Sequence, residues 1–193
     1  IKKVLNGDIE LIRNTLEHIS TEEFTKAVET INNARKIYIL GVRSSASLAS
    51  FLYFYLNPVF ENVVLIDTSS GSEMFEQMFR ISEEDVCVAI SFPRYSKQTI
   101  NALRFINDRG TKIIAITDSA DSPIAEYADN ILVAKSDMVS VVDSLVAPLS
   151  LINALIVAVT FSRRDEVYNN FNKLESIWDE YQVYDKSDGG ENE

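Results

Sequence analysis

Four short stretches of this sequence crowd hydroxyl side chains together in a way that suits holding an anion. They are Gly41-Val42-Arg43-Ser44-Ser45-Ala46-Ser47, Asp67-Thr68-Ser69-Ser70-Gly71-Ser72, Ser91-Phe92-Pro93-Arg94-Tyr95-Ser96-Lys97-Gln98-Thr99 and Thr117-Asp118-Ser119-Ala120-Asp121-Ser122. Serine and threonine hydroxyls, with the free backbone N–H groups at a helix start, make a cradle of donors for a phosphate, and the helix end adds partial positive charge. The first and third stretches each bring an arginine, Arg43 and Arg94, and a guanidinium can meet a phosphate with two parallel hydrogen bonds. The same residues have a plainer use: serine is a common helix cap, and arginine a common surface ion-pair partner. One such stretch would carry little weight; four, two of them with arginine, raise a phosphate site to an equal alternative.

Other chemistries are poorly provided for. A single histidine, His18, and a single cysteine, Cys87, cannot make the cluster that zinc or another soft metal needs, and no cofactor is expected. There is no GxxxxGK[ST] loop for a nucleoside triphosphate. Arg43 stands where the second glycine of a GxGxxG turn lets a pyrophosphate approach, which disfavours a dinucleotide. Sugar isomerisation needs a base at the carbon and an acid for the oxygen. Asp67, Glu73, Asp118, Asp121 and Asp143 are the nearby carboxylates, but acidic residues at helix starts normally act as caps or dipole partners. His18, beside Glu17 and close to Ser20, reads as part of an exposed helix end. No catalytic residue is assigned.

The loops need a frame that brings them together. Apolar runs over 37–40, 63–66, 86–90, 113–116 and 131–133 are rich in Val and Ile and lack polar alternation, as strands buried on both faces do. Helical stretches are expected between them at about 45–56, 73–80, 97–108 and 123–127. Gly110 sits where a C-cap glycine belongs, and Ser122-Pro123 pairs an N-cap with proline at the first helical position. The alternation predicts an α/β fold with a parallel sheet covered on both sides. Each hydroxyl-rich stretch follows a strand, and such sheets bind ligands beyond their carboxyl ends. Ahead of the sheet, Leu5, Ile9, Ile12, Leu16 and Ile19 form one helical stripe. Ser20 and Glu23 make a capping-box pattern for a helix whose inner face carries Phe24, Ala27 and Ile31. After it come an apolar helix near 144–161, a last helix with Val167, Phe171, Leu174, Trp178 and Tyr181 in stripe, and a tail expected to be disordered.

Composition narrows the class. The chain has 193 residues, 46% hydrophobic and 24% charged, with a formal net charge of -11. That balance argues against this chain gripping a nucleic-acid backbone by itself. One cysteine within an apolar run fits a reducing compartment, the cytoplasm. The sequence opens at Ile1 without a signal-peptide pattern, and a piece of a longer protein is expected. The apolar segment 139–161 contains Asp143, Pro148 and Asn153, costly or awkward in hydrocarbon, so it reads as a core or subunit-interface helix. That helix, with Phe171 and Trp178 beyond it, either covers the sheet or makes a homodimer or higher homo-oligomer, the latter being expected.

At its loops the sequence resembles a SIS (sugar isomerase) domain. That family's first loop commonly reads GxGxS or GxGTS, and Gly41-Val42-Arg43-Ser44-Ser45 stands in its place; its third-strand loop commonly reads SxSGxT, against Ser91-Phe92-Pro93-Arg94-Tyr95-Ser96. The resemblance implies a flavodoxin-like three-layer αβα sandwich with a five-stranded parallel sheet, here with added N-terminal and C-terminal helices. It implies a phosphosugar site with hydroxyls at Ser44, Ser45, Ser91 and Ser96. Arg43 and Arg94 replace glycines, and Pro93 replaces a hydroxyl and lacks an N–H. The arginines either narrow the pocket or donate new bonds to the phosphate, and they join the expected ligand-binding set.

Within that family, the run from Ser91 to Thr99, and Ile114-Ala115-Ile116-Thr117-Asp118-Ser119 followed by Ser122-Pro123-Ile124-Ala125, is similar to the RpiR family of bacterial transcription regulators over about 22–161. This implies a helix-turn-helix domain absent from the chain, linker helices at 1–35, the SIS domain at 36–162, a C-terminal helix at 163–183 and the tail at 184–193. The implied function is sensing of a phosphorylated sugar effector without catalysis, with DNA reached only through the absent domain and no membrane partner. Two alternatives stand beside it: a phosphosugar isomerase of the same fold, and a dimerisation module whose vestigial site is filled by Arg43 and Arg94.

Overall fold

Ile37, Ile39, Val86, Val88, Ile90, Ile114 and Ile116 enter one apolar core, while Tyr38, Leu40, Cys87, Ala89, Ile113 and Ala115 enter another. Successive strand residues point to opposite faces, so these strands are buried on both sides, which explains their missing polar alternation. The computed structural model describes residues 1–139 and 142–184. In it β1 (Ile37–Gly41), β2 (Val63–Leu65), β3 (Val86–Ile90), β4 (Lys112–Thr117) and β5 (Asn130–Val133) form one parallel sheet in the order β2-β1-β3-β4-β5. The register sets Ile37 beside Val63 on one side and Val86 on the other. The first core lies under α2 (Thr21–Asn33), α3 (Ser45–Leu56) and α6 (Val146–Ser162), and the second under α4 (Gly71–Met78) and α5 (Lys97–Asn107). This is the expected three-layer sandwich. α1 (Lys2–His18) packs on α6, and α7 (Arg164–Glu180) turns 99° away from it. Among the described residues no single helix is long and apolar enough to cross a membrane.

The structure revises several local expectations. The stretch 123–127 is only a 3-10 turn, Ala125–Tyr127. The chain rejoins the sheet at once, with the Asp129 N–H donating to the Ile113 carbonyl at 2.8 Å, so no second helical turn fits. The capping box is half made. Ser20 Oγ accepts from the Glu23 N–H at 3.2 Å, but the Glu23 carboxylate accepts from Asn130 Nδ2 and the Ile131 N–H, each at 3.2 Å, on the edge strand β5. A small antiparallel hairpin, β6 (Met138–Val139) with β7 (Val142–Asp143), precedes α6 and was not foreshadowed by its pattern. The α1 stripe is not core: Leu5 is 56% and Leu16 74% exposed. α7 likewise has no buried residue. Gly110 does hold the left-handed backbone (φ 70°) expected past α5. The tail, apart from Tyr184, lies outside the described residues.

Candidate functional site

β1 passes into α3 through a tight turn, and glycine at its head permits this. A Cβ on Gly41 would lie 2.4 Å from the Ser45 carbonyl oxygen and 2.8 Å from Ala49 Cβ, closer than atoms can approach. The loop after β3 runs into α5, where Ser96 Oγ accepts from the Gln98 N–H at 3.2 Å as an N-cap. β1 and β3 are neighbours in the sheet, so their loops face each other at its carboxyl edge. The two loops line one cleft, in which Arg43, Ser44, Ser45, Ser91, Arg94 and Ser96 meet Val42, Phe92, Pro93 and, from β7, Asp143. All six expected ligand-binding residues come together there. The second and fourth hydroxyl-rich loops do not line the cleft.

Arg43 and Arg94 both have left-handed backbone, with φ of 59° and 65°. For a bulky L-residue that conformation costs about 1–2 kcal/mol. They are also the two positions where the resembled motifs carry glycine. The turn of the motif is retained while its side chain has changed. Strained backbone of this kind gathers at binding sites and switch regions.

The side chains fill the cleft with donors. Arg94 Nη2 lies 3.5 Å from Asp143 Oδ2, the arginine mostly exposed and the aspartate mostly buried. The Arg43 guanidinium makes no hydrogen bond or ion pair among the described residues. Ser45 and Ser91 are buried, yet neither hydroxyl is engaged by another described group. Ser44 uses its carbonyl, which accepts from Ser47 Oγ at 2.8 Å, and leaves its hydroxyl out of the helix cap. The cleft has a volume of about 20 Å³, room for roughly one water.

The neighbouring polar groups are committed elsewhere. Tyr95 donates its hydroxyl to Asp118 Oδ1 at 2.6 Å, and Thr117 Oγ1 reaches the same oxygen at 3.2 Å. Burial first, and the bond to Asp118 second, raise the Tyr95 pKa. The third loop is therefore tied to the fourth just beside Arg94. Asp67 Oδ1 accepts from the Ser69 N–H at 2.9 Å, which holds its carboxyl below the usual range, and Gln77 brackets its backbone. His18 is exposed on α1, its Nδ1 2.8 Å from the Asn14 carbonyl oxygen, outside the cleft. Burial pushes the Cys87 thiol up to about 12, so it is inert at neutral pH. A larger hollow of about 560 Å³ holds Glu29, Glu83, Glu84, Asp85 and Asp129 against Lys26 and Lys112, an acidic excess that repels phosphate. The sequence had no signal for the Tyr95–Asp118 tie. The left-handed arginines did have one, in the glycines they replace.

The SIS domain family model matches residues 30–158. An uncharacterized HTH-type transcriptional regulator of Clostridium perfringens is 27% identical over 128 residues, covering 66% of this chain and 45% of that protein. The chain thus spans about half the length of that relative. The sugar isomerase domain of an RpiR transcription factor from Sphaerobacter thermophilus is similar, with a TM-score of 0.86 at 28% identity over 90% of this chain and 97% of that one. NanR from Vibrio vulnificus, complexed with ManNAc-6P, has a TM-score of 0.78 at 18% identity, over 90% and 66% of the two chains. Phosphoheptose isomerase from Neisseria gonorrhoeae has one of 0.69 at 19% identity, over 82% and 96%. The last two likenesses concern the fold alone, which regulators and phosphosugar isomerases share.

Proposed function

This chain belongs to the SIS domain family, and from that premise we propose that its cleft binds a phosphorylated sugar as a signal for a transcription regulator, not as a substrate. One observation carries this reading. Among the described residues the two facing loops present four serines, with the Ser45 and Ser91 hydroxyls unengaged, and two arginines, while the one carboxylate lining the cleft is paired with Arg94. Such a site has donors to grip a phosphate, and one carboxylate among its described lining residues does not make an acid–base pair to move a proton. The regulator relative and the regulator-like fold support the direction, and NanR, a protein that contains this fold, is complexed with a phosphosugar, ManNAc-6P.

In this reading residues 1–35 lead from a helix-turn-helix domain, DNA is contacted through that domain alone, and the protein works in the cytoplasm without a cofactor. The domain acts as a homodimer. The exposed stripe on α1, with Val157 and Phe161 of α6 at 65% and 74% exposure, supports a partner on that side. Light scattering giving a monomer at micromolar concentration would remove the dimer from the proposal.

The test is calorimetry with a panel of sugar phosphates on the wild type, Ser91→Ala and Ser96→Ala. Binding weakened by both variants, with no turnover of the bound sugar, supports a sensor. Turnover that disappears in Asp143→Asn establishes an isomerase instead. A second reading, a vestigial site in a dimerisation module, is favoured by the small volume of the cleft. It prevails when neither the panel nor a reporter carrying the full-length protein responds.

A further inference from the structure

Asp143 and Ser144 are adjacent in sequence and face two different elements. Asp143 holds Arg94 in the cleft. Ser144 donates its hydroxyl to Asp8 Oδ1 on α1 at 2.6 Å. Ser144 is itself fixed on both backbone atoms: its N–H donates to the Asp137 carbonyl at 2.9 Å, and its carbonyl accepts from Ser136 Oγ at 2.9 Å. Two helical turns along α1, Thr15 Oγ1 accepts from the Lys135 N–H at 2.9 Å. Asp8 and Thr15 are seven residues apart and so share a face of the helix. α1 is thus stitched to the segment leading out of the cleft by two polar contacts.

The ground between those stitches is open. A hollow of about 350 Å³ lies there, lined in part by Gly7, Leu11, Asn14 and Ser136. Gly7 has no neighbour within 4 Å of where a Cβ would stand, and a glycine within a helix weakens it. The C-terminal half of α1 rests on α6, but its N-terminal half sits on polar contacts over this hollow and can take a second position, which a close-packed segment cannot.

Resting on the phosphosugar reading above, the geometry points to Asp143 as a counter-ion that the ligand displaces, and to Ser144 and Asp8 as the contact that passes the displacement to α1. A phosphomonoester carries about -1.5 to -2 charge near neutral pH, against -1 for a carboxylate, and can engage Arg94 through two oxygens. The cleft has room for about one water, so it must widen to admit a phosphoryl group, and that group competes with Asp143 for Arg94. When the backbone carrying Asp143 shifts to release Arg94, Ser144 shifts with it together with Ser136 and Asp137, to which it is bonded, and its hydrogen bond to Asp8 is strained or released. The helix that changes footing is the one carrying the exposed apolar stripe.

Linkage makes this measurable from the ligand side. What restrains Asp143 in its place opposes binding, so releasing it tightens binding by the coupling free energy, typically between about 5- and 150-fold. Titration calorimetry with inorganic phosphate and with fructose 6-phosphate, on the intact protein, reads this out. Asp143→Asn is expected to bind both probes at least about fivefold tighter than wild type, and Ser144→Ala to bind tighter as well. The double variant is expected to gain less than the product of the two, because both act on one contact chain. Hydrogen exchange is expected to show α1 amides losing protection on adding phosphate in the wild type and changing little in Ser144→Ala. A damaged fold would weaken binding, so a gain in affinity is not produced by misfolding. Weaker or unchanged binding in Asp143→Asn, or α1 exchange indifferent to phosphate in a wild type that binds it, overturns the coupling and leaves the site standing. No binding by wild type and Asp143→Asn alike overturns the site and the coupling with it.

Discussion

Arg43 and Arg94 share one unusual backbone state, φ 59° and 65°, on the two loops that close a single cleft. Nothing in the packing of the fold calls for arginine at either place, since both side chains are exposed. Arg43→Gly and Arg94→Gly separate binding from stability. Relief of left-handed strain of about 1–2 kcal/mol is offset by the greater freedom of glycine in the unfolded chain, about 0.5–1 kcal/mol. Urea unfolding is expected to show each variant as stable as wild type or up to about 1 kcal/mol more so. Calorimetry is expected to show affinity for sugar phosphates at least tenfold weaker. Loss of stability with unchanged affinity would assign the arginines to the fold.

Gly41 makes the opposite case. Its Cβ position overlaps the Ser45 carbonyl and Ala49 Cβ, both within the rigid start of α3, so neither can yield cheaply. Gly41→Ala is expected to cost about 1–3 kcal/mol, the range for overpacking, in urea unfolding. It is also expected to weaken ligand binding, because it pushes Ser44 and Ser45 away from the loop carrying Ser91.

Tyr95 is tied to Asp118 by a short charge-assisted bond. Tyr95→Phe is expected to lower stability by about 1.5–3 kcal/mol, the range for hydrogen bonds to charged groups, and to loosen the loop carrying Arg94. The wild-type contribution has a defined pH window. The folded state raises the phenol's pKa, favouring its protonated form, so this stability is whole below the unfolded value near 10 and is lost as pH rises toward the folded one. Alkaline unfolding curves of wild type and Tyr95→Phe are expected to converge above about pH 10.

Gly7 lies within α1 with open space around it. Gly7→Ala adds helix propensity without a clash and is expected to stabilise the protein by up to about 1 kcal/mol, measured by the urea midpoint at unchanged slope.

The sheet was legible because burial on both faces leaves runs such as Val86–Ile90 and Ile113–Ile116 without polar interruption, and the structure sends their alternate residues into two cores. The cleft was legible because loops after adjacent parallel strands must meet. The second and fourth hydroxyl-rich loops follow strands too, yet they line no part of it, in keeping with a site drawn from the first and third loops alone. The hairpin that delivers Asp143 has two-residue strands, too short for any periodicity. The α1 stripe showed that one helix face is apolar but not what covers it, since the same pattern serves a core and a subunit contact. The capping box failed in its second half because Glu23 has a stronger claim on it from residues more than a hundred positions away.

That claim bears on how the molecule keeps company. The N–H of Ile131 on β5 already donates to Glu23, and a fixed negative charge sits over the rim of the sheet. An incoming strand would find its first rung taken and would have to bury that carboxylate. This side of the sheet is therefore poorly suited to strand-by-strand growth.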